Sequence, residues 1–206
     1  MEAIITLFNQ FTLYMQSGGV YIMYPLFILV LVLWYGLGYR YHALNRGTKK
    51  NVRVLVRKFA TGKRNEARGL IDGAVVDGLR VRQECSDFHD ARKVLEDVFH
   101  NYRLELTKYK NLVKTIVVVA PLIGLLGTVI GMIETFDSLA SMSLFSQSGG
   151  IAGGISQALF TTQLGLVVAV PGLVIGRTLD KKAANMELDL EQITDILCSE
   201  GNLHEI

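Results

Sequence analysis

Two groups of small and polar residues interrupt otherwise apolar stretches of this 206-residue chain. Gly124, Thr128, Gly131 and Thr135 recur at steps of three and four, and Gln157, Thr161, Thr162 and Gly165 also stand at helical spacing, so each group falls on one face of a helix. Hydroxyls at one depth in a bilayer, repeated around an oligomer, line a narrow polar passage for water, protons or a partner's ionisable group. Thr and Gly are also ordinary packing residues between membrane helices, and spacing alone favours packing. Pro121 and Pro171 each leave a carbonyl one turn earlier, at Val117 and Val167, without its usual donor; the result is a kink, either a plain bend or a joint.

Missing residue types narrow the chemistry. No Asp, Glu, Lys, Arg or His lies in 115–133 or 138–176, and Glu134 and Asp137 stand between these runs. The chain therefore lacks a proton carrier at mid-depth, and if it works with protons another polypeptide must bring the acid. His42, His89, His100 and His204 show no metal-ligand spacing, and there is no phosphate-binding glycine loop or nucleophile motif. Neither enzyme activity nor a cofactor or metal is expected. Cys85 and Cys198 have no paired spacing and are expected as reduced thiols.

The elements that position these residues follow from the distribution of charge. Half of the chain is apolar, which a soluble domain also tolerates, but runs without any ionisable acid or base at 3–39, 115–133 and 138–176 are longer than a soluble core needs. About 20 helical residues cross a hydrocarbon layer of about 30 Å, and each run supplies one such helix, near 20–39, 115–133 and 156–176. No Lys or Arg precedes the first run and no small-residue cleavage site follows it, so it reads as a retained span and not as a secretory signal.

Of the 21 Lys and Arg residues, 18 lie between Arg40 and Lys114 and the other three are Arg177, Lys181 and Lys182. Segments 1–19 and 137–155 contain none, which predicts an amino end outside and a carboxyl end in the cytoplasm. These clusters read as topological anchors; without interleaved aromatics they give no case for nucleic acid.

Within this frame, Ile4, Leu7, Phe8, Phe11 and Met15 predict an amphipathic first helix resting at the outer interface. Val52, Leu55, Val56 and Phe59 predict a short helix closed by Thr61-Gly62, and Gly69, Gly73 and Gly78 are expected to interrupt a weaker helical pattern after it. Leu95, Phe99, Tyr102, Leu106, Tyr109, Val113, Ile116 and Ala120 form a heptad seam, predicting one uninterrupted helix from cytoplasm into lipid. A second seam joins Gly165, Ala169, Gly172 and Gly176 to Leu179, Ala183, Met186, Leu190, Ile193 and Leu197. Small residues let backbones approach inside the bilayer, and large apolar residues drive association in water. Counted from the span ends, Thr128 and Thr162 are expected at one level, about 10 Å from the outer surface.

The run Ala120-Pro121-Leu122-Ile123-Gly124-Leu125-Leu126-Gly127-Thr128-Val129-Ile130-Gly131-Met132 resembles the second span of the MotA/TolQ/ExbB proton-channel family. Ala158 to Pro171 is similar to that family's third span, and three spans fit the ExbB and TolQ branch better than the four-span MotA branch. The resemblance implies an all-α membrane protein whose second and third spans extend into the cytoplasm as long helices, with five copies in a ring. The ring would surround a single-span ExbD- or TolR-like partner whose Asp carries the proton, and proton motive force would drive a TonB- or TolA-like arm. Thr128 and Thr162 match the family's pore-facing threonines. Thr161, Gly124, Gly131, Gly165 and Gln157 complete the expected lining, and Gln157 stands where many ExbB and TolQ chains have Glu, so it cannot exchange a proton.

The expected organisation is a periplasmic amphipathic helix at 1–19, spans at 20–39, 115–136 and 156–176, a cytoplasmic helical domain at 40–114, a periplasmic loop at 137–155 and a cytoplasmic carboxy-terminal helix at 177–206. The competing expectations are a non-conducting membrane scaffold and a TolQ-like subunit for envelope maintenance.

Overall fold

The computed structural model describes residues 2–47, 51–61, 67, 69–85, 88–141 and 149–198. Every regular element among them is helical: α1 (Glu2–Ser17), α2 (Val20–Ala43), α3 (Val52–Ala60), α4 (Leu70–Glu84), α5 (Phe88–Thr107), α6 (Lys110–Ser141) and α7 (Gly149–Cys198). Three stretches, within Val20–Ala43, Ala91–Ala140 and Ile151–Cys198, are long and apolar enough to cross a membrane. The described residues fall into two compact units, one within Met1–Leu37 and Leu112–Gly176, the other within Gly38–Asn111 and Arg177–Ile206.

In the first unit, α2 is apolar all round, and Ile22, Met23, Leu26, Leu33 and Leu37 are buried while Tyr21, Tyr24, Ile28, Leu31, Trp34 and Tyr35 are exposed. Such a helix needs lipid or a partner on its outer side. The turn into α2 requires Gly19, whose φ of 79° is open to few other residues. Of the apolar positions expected on α1, Met15 is buried, while the side chains of Ile4, Leu7, Phe8 and Phe11 lie outside the described ones.

The partners of α6 descend along α7 as α6 ascends, so the two helices are antiparallel. A Cβ on Gly131 would lie 3.0 Å from the Ala158 nitrogen, one on Gly124 3.2 Å from the Thr162 Cα, and one on Gly165 2.8 Å from the Ala120 carbonyl oxygen. Residues without side chains let the two backbones meet where the hydrophobic effect supplies no drive. Both helices run into the stretch expected as a loop at 137–155, because α6 continues to Ser141 and α7 begins at Gly149. Thr135, buried and bonded to the Gly131 carbonyl at 2.8 Å, meets Gly154 and extends the contact beyond the apolar run.

The second unit is a packed helical assembly. Val52, Leu55 and Val56 of α3, Ile71, Ala74 and Val75 of α4, Leu95, Phe99 and Leu106 of α5, and Leu179, Ala183, Met186, Leu190, Ile193 and Leu197 of α7 are all buried. Gly73 and Gly78 do not interrupt the chain here; both lie inside α4, with Gly69 at its amino-terminal boundary. Packing outweighs glycine's low helix propensity: a Cβ at Gly78 would come within 2.8 Å of Leu197, and one at Gly73 within 3.3 Å of the Tyr102 hydroxyl. Buried Arg40 donates to Asp180 at 2.9 Å, and Arg46 grips Asp189 through Nε at 2.7 Å and a terminal nitrogen at 3.0 Å. Paired guanidinium groups of this kind tolerate burial that a lone charge would not.

The uninterrupted helix expected across 95–120 is broken at Lys108–Tyr109, where Tyr109 takes a φ of 58°. A non-glycine residue there costs about 1–2 kcal/mol, and several contacts offset it. The Tyr39 ring meets the Tyr109 ring edge-on at 4.9 Å, the Tyr39 hydroxyl donates to Glu105 at 2.6 Å, and Lys108 donates to that hydroxyl at 2.7 Å. The bond to Tyr39, assisted by nearby Glu105, raises the Lys108 pKa.

Candidate functional site

The α6 stripe Val113, Ile116, Ala120, Gly124, Gly127, Gly131 and Thr135 is buried. With about 100° between successive residues, Thr128 lies just off it, on the flank where Val118, Leu125 and Phe136 are exposed; Val119, Ile123 and Ile130, on the other flank, are half-buried. On α7 the buried stripe is Gly154, Ala158, Thr161, Gly165, Ala169, Gly172 and Gly176. Thr162 lies off it toward exposed Leu159, Leu166 and Leu173, whereas half-buried Phe160 and Leu164 lie on the other flank, Phe160 against Tyr14 at 5.2 Å between rings.

Both helices are right-handed and they run in opposite directions, so the clockwise flank of one adjoins the clockwise flank of the other. Thr128 and Thr162 therefore share one edge of the helix pair, the edge turned away from the Tyr14 contact. The run of contacts offsets them by about three residues, under one turn of rise. The Thr128 hydroxyl donates to the Leu125 carbonyl at 2.6 Å and the Thr162 hydroxyl to that of Ala158 at 3.1 Å, with the Gly124 carbonyl at 3.5 Å across the groove. Their donors are used locally, which leaves oxygen lone pairs to face outward.

The other residues expected in a lining lie elsewhere. Thr161 is fully buried against Gly127 and bonded to the Ala158 carbonyl at 3.0 Å; Gly124, Gly131 and Gly165 form the backbone contact itself. These four pack α6 on α7 within one chain. Gln157 lies on the flank opposite Thr162, beside Gly19, where its amide donates to Glu134 at 3.3 Å. Pro121 and Pro171 lie inside α6 and α7, which continue through both. Sequence reading passed over Gln163, the next residue after Thr162, which is exposed and has no hydrogen bond among the described residues. Its signal was available as a lone amide on the outer side of an apolar span.

Residues 66–192, spanning most of α4 to α7, match the MotA/TolQ/ExbB proton channel family. The chain belongs to this family. It is 31% identical over 174 residues to the biopolymer transport protein exbB1 of Vibrio cholerae, an alignment covering 82% of this chain and 74% of that protein. It is 37% identical over 89 residues to the biopolymer transport protein ExbB of Aquifex aeolicus, covering 43% and 60%. An ExbB-like biopolymer transport protein of Synechocystis is 41% identical over 70 residues, covering 34% of this chain and 33% of its own length. The chain thus spans about a third of that relative, and these likenesses place it in the ExbB-like branch.

Proposed function

We propose that this chain is the channel-forming stator subunit of an ExbB-like complex in a bacterial inner membrane, using proton motive force to energise a TonB-like transducer for outer-membrane transport. The carrying observation is the shared edge of Thr128 and Thr162 in a membrane unit whose spans hold no ionisable acid or base. In this reading five copies form a ring with that edge turned inward, around a single-span ExbD-like helix bearing an Asp. The amino end is periplasmic, and the carboxy-terminal part of α7 and the helices α3 to α5 are cytoplasmic. The Asp takes a proton on the outer side and, as a neutral carboxyl, passes the hydroxyl-lined zone. It releases the proton inward, and the alternation of charge shifts one set of helices against the other.

Threonine suits this role because its hydroxyl oxygen accepts hydrogen bonds while the group stays uncharged at neutral pH and so does not compete for the carried proton. Thr128→Val and Thr162→Val are each expected to leave the oligomer intact and to lower proton flux by about tenfold or more, as a polar lining becomes apolar. Unchanged flux in both variants would overturn the channel. The packing of Thr161, Gly124, Gly131 and Gly165 supports the other reading, a scaffold, and the two separate on flux and assembly together, because a scaffold carries no proton flux in the parent chain and responds in assembly to these four and not to the edge.

A further inference from the structure

The chain breaks between α5 and α6 at residues whose types suit an unbroken helix. The last turn of α5 holds Glu105 and no basic residue, and the first turn of α6 holds Lys110 and no acidic one. Both charges oppose the helix dipole at these ends, and Lys108 between them suits one end and opposes the other. Neither glycine nor asparagine directly follows α5, and Tyr109, directly before α6, is not a capping residue. In one helix running through, neither charge stands at an end, Glu105 and Lys108 remain partners three residues apart, and Leu106, Tyr109 and Val113 share a face.

The backbone bonds at the end of α5 do not decide between the two forms. In the break, the Thr107 hydroxyl lies 3.1 Å from both the Arg103 and the Leu104 carbonyls, and the Lys108 nitrogen donates to the Glu105 carbonyl at 3.3 Å. In an unbroken helix the Lys108 and Tyr109 amides would serve the Leu104 and Glu105 carbonyls instead. What holds the break comes from α2, in the single side chain of Tyr39. Its ring meets that of Tyr109 and lies 4.8 Å below the Lys108 ammonium, while its hydroxyl donates to Glu105 and accepts from Lys108. A left-handed tyrosine is a strained residue that persists only where its surroundings impose it.

We infer that the α5–α6 junction is a two-state joint with Tyr39 as its latch: broken, with Tyr109 left-handed, while Tyr39 is seated, and continuous when Tyr39 leaves. Because Tyr39 belongs to α2, the joint responds to whether the end of α2 is docked on α5. It sets the direction in which α6, the helix that carries Thr128, continues from α5. None of these contacts depends on the channel reading.

Spin-labelled cysteines at exposed Asp97 of α5 and exposed Val118 of α6 measure the distance across the joint by double electron-electron resonance. The full chain carries Cys85→Ser and Cys198→Ser and is diluted with unlabelled chain, so that only distances within one copy are read. One straight helix places the two positions about 32 Å apart, and a break at Tyr109 brings them closer. The shorter distance is expected to dominate in the parent chain and in Tyr109→Gly, since glycine adopts the left-handed conformation freely. The long distance is expected to dominate in Tyr39→Ala, with Tyr39→Phe, which keeps the ring and loses the hydroxyl, lying between. Adding Tyr109→Gly to Tyr39→Ala should recover part of the short distance, which a loss of folding would not do. The same distances in the parent chain and Tyr39→Ala, or no short distance in the double variant, would overturn the latch; a long distance in the parent chain would overturn the joint altogether.

Discussion

At the scale of single residues, the distinction that matters is between Thr161 and Thr162. They are neighbours in sequence, yet 100° of helical rotation sends one into the α6 contact and the other to its edge. Gly165 belongs with Thr161. A Cβ there would lie 2.8 Å from the Ala120 carbonyl oxygen, so Gly165→Ala should destabilise the membrane unit by about 1–3 kcal/mol, seen as a lower melting temperature in detergent. Tyr102 offers a test in the other unit. Burial and its 2.6 Å bond to Asp77 raise the phenol above its ordinary value, so the folded chain keeps a proton that the unfolded chain loses. The resulting stability is complete below about pH 10 and falls as pH rises toward the higher folded value. In melting curves across that range, Tyr102→Phe should remove the part of the alkaline decline that belongs to this phenol.

At the scale of elements, the break between α5 and α6 is the feature that sequence periodicity missed. Heptad spacing continues through Lys108–Tyr109 with no Gly or Pro, so nothing local announces a left-handed residue. The contacts that hold it come from Tyr39, about 70 residues away along the chain. Glycine accepts a φ of 58° freely and alanine does not, while both lose the ring contact. Tyr109→Gly should therefore be more stable than Tyr109→Ala by about 1 kcal/mol, measured by chemical denaturation; equal stabilities would show that the break does not persist in the variants.

At the scale of the whole molecule, orientation rests on Lys and Arg flanking the spans. Cysteine placed at exposed Ser17 should react with a membrane-impermeant maleimide added to spheroplasts, whereas Cys85 and Cys198 should react only after the membrane is opened; the reverse pattern would invert the topology. The same charge pattern underlies the proposed ring, because a chain with no ionisable acid or base in its spans requires its proton carrier from elsewhere.

Much of this architecture was legible in the sequence because it depends on quantities that add along the chain. Charge-free length sets the spans, the steps of three and four set the buried seams of α5 and α7, and two long motifs indicate the family. The helix ends of α6 and α7 where the two connect, the break at Tyr109 and the division of the candidate lining were not legible. Each depends on which face of one helix meets which face of another. Periodicity states that Gly124, Thr128, Gly131 and Thr135 share a helix face, but a face is about 100° wide and an interface has a centre and two edges. Only the antiparallel seating of α7 put the glycines and Thr161 at the centre, left Thr128 and Thr162 together on one edge, and turned Gln157 to the other.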